Sequence, residues 1–299
     1  MVGPTASGKS AVALAVAESL GDVELVSVDS MQVYRTMDVG TAKPTAADRG
    51  RVRHHLIDLV APSAEFTVAE FQRAYGDVLA DLAARGRRAL LVGGTGLYHR
   101  AVIDRLDIPG EWPAVRRRLE AEAAEAGPEA LHARLLAVDP AAAARTEPTN
   151  RRRIVRALEV CEGSGRPFSS FGPGLDSYPA SPVAQIGLRW DRAALSQRIE
   201  ARVHAMVAAG LVDEVAGIAA ATGFSRTAAQ ALGYKEVLAH LRGELSLDAA
   251  VAEVVVRTRQ FAVRQERWFR RDPRVRWVDV RDDPVAEAAP AVLAEFSAS

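Results

Sequence analysis

Apolar residues come in two patterns along this chain, and the change between them marks its organisation. In the N-terminal third, short apolar runs end on glycine or an acid and hand over to helical stretches. Residues 9–20 (KSAVALAVAESL) run without a breaker and stop at Gly21, a residue type that closes helices. Residues 23–28 (VELVSV) predict a short strand ending at Asp29-Ser30. Thr67-x-x-Glu70 is a capping box that opens a helix running to about Arg85, with Gly86 ending it. The unbroken run 89–92 (ALLV) predicts a parallel strand buried on both faces, and it breaks at Gly93-Gly94-Thr95-Gly96. Strand, glycine loop and helix in repetition predict an α/β fold with a parallel sheet. In such sheets ligands sit at the carboxyl ends of strands, where residues 7–10, Asp29 and Thr95 fall.

The second pattern begins at Pro113. From there to about Gly163 nothing reads as a strand, and 113–126, 128–138 and 150–162 are helical stretches rich in Ala, Arg and Glu. A loop rich in Pro, Gly and Ser (165–182) follows, then a return strand at 183–188. The expectation is an all-helical insertion over 111–180 in an α/β core made of 1–110 and 181–299. Three more helices are predicted at about 192–209, 226–242 and 247–271, then a strand at 275–280 and an Ala-rich tail. No internal repeat is present.

Composition narrows the function classes. The 299 residues can bury a full core, and 48% hydrophobic with 25% charged is ordinary for a globular protein. Formal net charge is zero, so no overall field advertises a nucleic-acid partner. Cys161 is the single cysteine, which excludes a disulfide framework and a zinc knuckle; within IVRALEVCEG it reads as a buried small hydrophobe. His54-His55 lacks Cys or acidic partners at metal spacing. No apolar stretch of about 18 residues occurs, so a cytoplasmic protein with no membrane partner is expected; a monomer is expected as well.

The opening MVGPTASGKS carries the clearest chemistry. Gly3 to Ser10 (Gly3, Pro4, Thr5, Ala6, Ser7, Gly8, Lys9, Ser10) fits G-x-x-x-x-G-K-[ST], the P-loop. Its backbone amides and the following helix N-terminus cradle a di- or triphosphate, Lys9 adds a point charge, and the Ser10 hydroxyl suits Mg²⁺. A P-loop normally follows a strand, and only Met1 and Val2 are left to supply it, so the expectation is a clipped first strand or a start downstream of the natural one. Asp29 closes a strand beside the loop, where a carboxylate can ligate Mg²⁺ through water or act as a general base. The run ALLV (89–92) ends on Gly and Thr instead of a Walker-B-type Asp, which counts against a motor ATPase or GTPase. Charge is unevenly spread. Arg151, Arg152, Arg153 and Arg156 cluster at one helix start. Arg257, Gln260, Arg264, Arg267 and Arg271 share one helix face, with Val254, Phe261 and Trp268 on another. Arg270, Arg274 and Arg276 crowd the end of that helix. Such patches suit a phosphate backbone. Arg198 and Arg202, four apart on a helix, could reach one diphosphate together.

GPTASGKS, SVDSMQVYRTMDVGTAKP (27–44), HHLID (54–58), LLVGGTGLY (90–98), RALEV (156–160) and ALGYKE (231–236) together resemble the tRNA dimethylallyltransferase family, in one order from Gly3 to about Trp277. The resemblance implies a P-loop NTPase-like core whose loop holds the diphosphate of dimethylallyl diphosphate rather than a nucleotide. It implies that the dimethylallyl group goes to the exocyclic amine of the adenine 3′ of the anticodon, in a tRNA anticodon stem-loop clamped by the insertion. By the same resemblance Asp29 is the general base, Thr95 sets a hydroxyl near the reacting centre, and Arg202 neutralises the leaving diphosphate with Arg198 as neighbour. Mg²⁺ bridges at Ser10. Asp29, Ser30, Met31, Gln32, Arg116, Arg152, Arg153, Ile154, Val155, Arg156, Gln230, Ala231, Leu232, Gly233, Tyr234 and Lys235 correspond to tRNA-contacting positions. Two other readings stand beside it. A small-molecule kinase of shikimate-kinase-like layout would use the same P-loop with Asp29 as base on a hydroxyl; a non-catalytic RNA-binding module would keep the loop as a relic.

Overall fold

The computed structural model describes residues 1–172 and 174–297, which divide into two compact units, 1–103 with 180–299, and 104–179. The first unit is α/β. It opens with α1 (Lys9–Leu20), β1 (Val23–Val28), α2 (Ala46–Arg51), β2 (His54–His55), α3 (Val68–Ala84), β3 (Arg88–Gly93) and α4 (Gly96–Ile103). The second unit holds α5 (Pro113–Glu125), α6 (Pro128–Val138), the short α7 (Pro140–Ala144) and α8 (Arg151–Ser164). The first unit then resumes with β4 (Gln185–Trp190), α9 (Arg192–Ala208), α10 (Leu211–Ala221), α11 (Tyr234–Leu241), α12 (Leu247–Arg270), β5 (Val275–Val280) and α13 (Pro284–Ser297).

All strand pairs are parallel, in the order β2-β1-β3 and β4-β5. Every residue of β1 is buried, which is why four of its six residues are apolar and the polar two, Glu24 and Ser27, are hydrogen-bonded, to His55 and Arg85 and to Gln32. Met1 and Val2 join the two sheets. Gly93 N donates to Met1 O at 3.2 Å, Val2 N donates to Ile186 O at 2.8 Å, and Leu188 N donates to Val2 O at 3.1 Å. Two residues thus stand where a P-loop strand is expected, between β3 and β4.

Helix ends follow local chemistry. The capping box at α3 is formed in both directions, with Glu70 N donating to Thr67 Oγ1 at 3.2 Å and Thr67 N donating to Glu70 Oε2 at 2.7 Å. The helix expected over 226–242 is not continuous. A single 3₁₀ turn at Ala228–Gln230 is followed by a break, and α11 starts only at Tyr234. The cause is Gly233, at φ 90°, whose N–H donates to Glu236 Oε2 at 2.9 Å and so caps a fresh helix. The Ala-rich tail is the helix α13, which buries Ala288 and Val292 in one cluster with Val12 and Val16 of α1.

In the helical unit, Leu119, Leu131, Leu135, Ile154 and Leu158 from α5, α6 and α8 form the core. Cys161 is half-buried rather than buried. Its sulfur accepts from Phe168 N at 3.3 Å, and burial pushes the thiol up. His55 is committed to structure, with Nε2 2.6 Å from the buried Glu24, a carboxylate also gripped by Arg85.

Candidate active site

The glycine loop is held by side chains from four directions. Lys9 Nζ donates to Pro4 O at 2.6 Å, Arg198 Nε to Ala6 O at 3.0 Å and Trp190 Nε1 to Ser7 O at 2.9 Å, while Thr5 N donates to Gln265 Oε1 at 2.8 Å. Ala6 at φ 62° and Gly8 at φ 90° bend the chain into α1, and a Cβ on Gly8 would lie 2.5 Å from Pro284 Cγ. The carbonyls of Pro4, Ala6 and Ser7 are therefore occupied. The first-turn N–H groups of α1 have no intrahelical acceptor and are the polar resource left for an anion.

Next to this loop lies a cavity of about 760 Å³. Thr5, Ala6, Lys9 and Ser10 line one side, Asp29, Ser30, Met31, Gln32 and Thr95 another, and Arg202 with Gln230–Lys235 a third. Burial first, and then the Arg202 charge, push the Lys9 ammonium down to about 7, with Asp29 pulling the other way. Burial likewise lowers Arg202, opposed by Asp29 and reinforced by Arg198. Two half-buried cations crowded around one cavity, with the Asp29 carboxylate acting on both, make a site that a multiply charged anion relieves.

The strand ends are tied to one another. Asp29 Oδ1 accepts from Met31 N at 2.8 Å, and Thr95 Oγ1 accepts from Ser30 N at 3.1 Å. The glycines around Thr95 are required by contact. A Cβ would lie 2.0 Å from Val28 O at Gly93, 2.3 Å from Gln265 Nε2 at Gly94 and 2.2 Å from Trp268 Nε1 at Gly96. The DVGTAKP stretch forms the far wall. Glu214 accepts from the N–H groups of Asp38, Val39 and Gly40 and from Tyr234 Oη at 2.5 Å, and Gly40 leaves no room for a Cβ against the Tyr234 ring. Lys43, whose side chain is 1% exposed, reaches Asp38 and Asp58, both at 2.6 Å, which ties this stretch to HHLID. Gln32 accepts from Ser27 Oγ at 2.8 Å and donates to Thr41 O at 3.2 Å.

Comparison with known proteins decides the family. A family model described as IPP transferase matches residues 32–272. The chain belongs to the IPP transferase family. It is 51% identical over 296 residues to the tRNA dimethylallyltransferase of Salinispora arenicola, covering 98% of this chain and 86% of that protein. A solved structure of the full-length tRNA isopentenylpyrophosphate transferase from Bacillus halodurans superposes with TM-score 0.72 at 38% identity, covering 99% of this chain and 94% of that one. A eukaryotic dimethylallyltransferase acting on tRNA shares the fold, with TM-score 0.80 at 23% identity over 99% of this chain and 78% of that one.

Several expected positions lie elsewhere than the cavity of this IPP transferase. Gly3, Pro4, Ser7 and Gly8 shape the loop without lining the cavity. Arg198 does not line it either; its guanidinium stacks 4.2 Å over the Trp190 ring while holding Ala6, so it braces the loop from outside. The remaining candidates are in the helical unit. Arg152 and Arg153 are exposed. Ile154 and Val155 are 0% and 3% exposed in that unit's core, which removes their side chains from any nucleic-acid contact. Arg116 and Arg156 lie 3.3 Å and 3.1 Å from the fully buried Glu159, and Arg156 also donates to Gly110 O and Pro109 O. These two arginines hold the unit together. Arg156→Ala is therefore expected to destabilise the protein and lower its Tm, because stripping a partner from a buried carboxylate costs up to about 3–5 kcal/mol. Arg152→Ala should leave Tm unchanged.

Two features escaped the sequence. Arg257, Gln260 and Arg264 line the cavity alongside Val254 and Phe261, so the charged and apolar stripes of α12 meet there instead of facing apart. Arg270 at its far end is paired with Glu266 one turn back at 3.3 Å, and Arg276 lies in β5, paired with Glu295 of α13 at 2.7 Å. Gln265, 7% exposed, was signalled by nothing in the sequence. No single helix among the described residues is long and apolar enough to cross a membrane.

Proposed function

We infer that this chain transfers the dimethylallyl group of dimethylallyl diphosphate to tRNA, at the exocyclic amine of the adenine 3′ of the anticodon. The observation that carries this reading is the joint presence of Lys9, Arg202, Asp29 and Thr95 on one cavity in a member of the IPP transferase family. The core is read as P-loop NTPase-like, supported by its parallel strands and the Gly8 turn into α1.

In the reaction the C1–O bond of the allylic diphosphate breaks and its electron pair leaves with the diphosphate. The amine nitrogen forms the new bond to C1, and its proton passes to the Asp29 carboxylate. Charge growing on the leaving oxygen is met by Lys9, Arg202 and the first-turn amides of α1, groups already in position before the bond breaks. Thr95 keeps Ser30, and with it the Asp29 turn, in register. A Ser10 hydroxyl and one nearby carboxylate suit Mg²⁺, an ion held chiefly by phosphate oxygens and water, and its charge would further stabilise the departing diphosphate. Unstacking the adenine costs on the order of a few kcal/mol, least in a loop. The exposed Arg152 and Arg153 are read as contacts to the tRNA backbone.

Incubation with labelled dimethylallyl diphosphate or labelled ATP, each with and without tRNA, tests the reading. Label moving from the prenyl donor to tRNA is the expected result; phosphoryl transfer from ATP to a small metabolite, with no prenyl transfer, overturns it. The arginines carry a separate expectation. At physiological salt the Debye length is about 8 Å, so local patches count and the zero net charge does not. Affinity for tRNA should fall by about 0.7–0.9 logarithmic units per phosphate contact for each decade of salt. Arg152→Ala with Arg153→Ala should flatten that slope and leave donor affinity unchanged. Equal slopes in a salt titration would make these arginines a solvated face.

A further inference from the structure

Gln265 joins two loops that the reaction needs in register. It sits in the C-terminal part of α12 with its carboxamide buried, 7% of the residue being exposed. Its Oε1 accepts from Thr5 N at 2.8 Å, and its Nε2 donates to Gly94 O at 2.9 Å. Thr5 belongs to the glycine loop that ends in Lys9, and Gly94 directly precedes Thr95. One planar amide thus spans the diphosphate-facing loop and the loop that carries Thr95, with both ends satisfied. The space is committed to this arrangement, because a Cβ at Gly94 would lie 2.3 Å from Gln265 Nε2. Only a side chain that accepts at one atom and donates at the other can make both bonds. An ionised carboxylate would set oxygen against the Gly94 carbonyl; an alkyl chain would leave a buried N–H and a buried C=O unpaired.

We propose that Gln265 is a positioning residue for the transfer, fixing the donor loop relative to Thr95 and hence the diphosphate relative to Asp29. It stands at the cavity wall with its carboxamide spent on the two loop backbones, and it acts through them. The inference rests on the transferase reading above. Misplacement of reacting groups by about 1 Å is enough for a ~10²-fold loss.

The test uses the full chain with dimethylallyl diphosphate and tRNA. Transfer by the wild type is established first; its absence overturns the transferase reading and not this one. With wild-type transfer in hand, Gln265→Ala is expected to lower kcat/KM for the donor by ~10²-fold while the KM for tRNA stays within a factor of two. Gln265→Glu is expected to show a pH-dependent rescue. A protonated carboxyl both accepts and donates, so activity relative to wild type should rise as pH falls, which a purely structural role would not produce. Gly94→Ala should displace the carboxamide, so Gly94→Ala and Gln265→Ala should be strongly non-additive in kcat/KM. Additive losses, a Gln265→Glu profile parallel to that of wild type, or a Gln265→Ala loss that tracks only the folded fraction would each overturn the proposal.

Discussion

Asp29→Asn is expected to lower turnover by ~10²–10⁴-fold, the usual weight of a positioned general base, with donor binding retained. The asparagine is the informative variant. Asp29 Oδ1 accepts from Met31 N at 2.8 Å, a bond that closes the turn at the end of β1, and an asparagine carbonyl can still accept it. What it loses is the capacity to take the amine proton. Asp29→Ala loses the turn bond as well and should be worse in both activity and stability. Thr95→Ala should cost less than either, since it frees Ser30 N–H without removing a proton acceptor. Because Asp29 also raises the Lys9 ammonium's hold on its proton, donor affinity in Asp29→Asn has to be compared as a function of pH and read from its low-pH plateau, where Lys9 is charged. Single-turnover transfer and equilibrium titration with dimethylallyl diphosphate separate the two effects. Donor binding abolished with saturated turnover kept would reassign Asp29 to metal ligation.

How much of this was legible beforehand depended on how local the cause was. The strand Val275–Val280 and the capping box at Thr67 came through because the residues that make them are neighbours in the chain. The break before Tyr234 was hidden, because a Gly233 at positive φ capped by Glu236 looks in sequence like an ordinary glycine in a helical stretch. For the site, Lys9, Asp29 and Thr95 stood out through motif and position at strand ends. Gln265 did not, since its two partners are 260 and 171 residues away and a lone glutamine in an Arg-rich helix carries no pattern. Arg156 was legible only in part, for the opposite reason. Charge clustering is visible in sequence, while the buried carboxylate that neutralises part of it, Glu159, shows only once α5 and α8 are packed.

Donor affinity is expected to fall about tenfold per pH unit above pH 7, through the titration of Lys9. Burial and Arg202 bring its ammonium from an ordinary 10.5 down to about 7 in the free protein. A diphosphate beside it favours the charged form, so the same group holds its proton to much higher pH in the complex. Binding between those limits therefore takes up a proton, about half of one at pH 7 and nearly a whole one by pH 8. The stability linkage has the matching sign. Between about 7 and 10.5 the unfolded chain keeps a proton that folded Lys9 has lost, so this site makes the free protein more stable as pH rises, and bound donor removes that gain. Calorimetric titration of the donor at pH 8 in two buffers of different ionisation enthalpy reads the uptake directly. Lys9→Arg, which stays charged, and Lys9→Ala, which is never charged, should both bind with no proton uptake from this position. Lys9→Ala should be the weaker at pH 6. Equal heats in the two buffers for the wild type would mean that Lys9 keeps its proton throughout, and that the crowding of cations around the glycine loop is screened more strongly than its burial suggests.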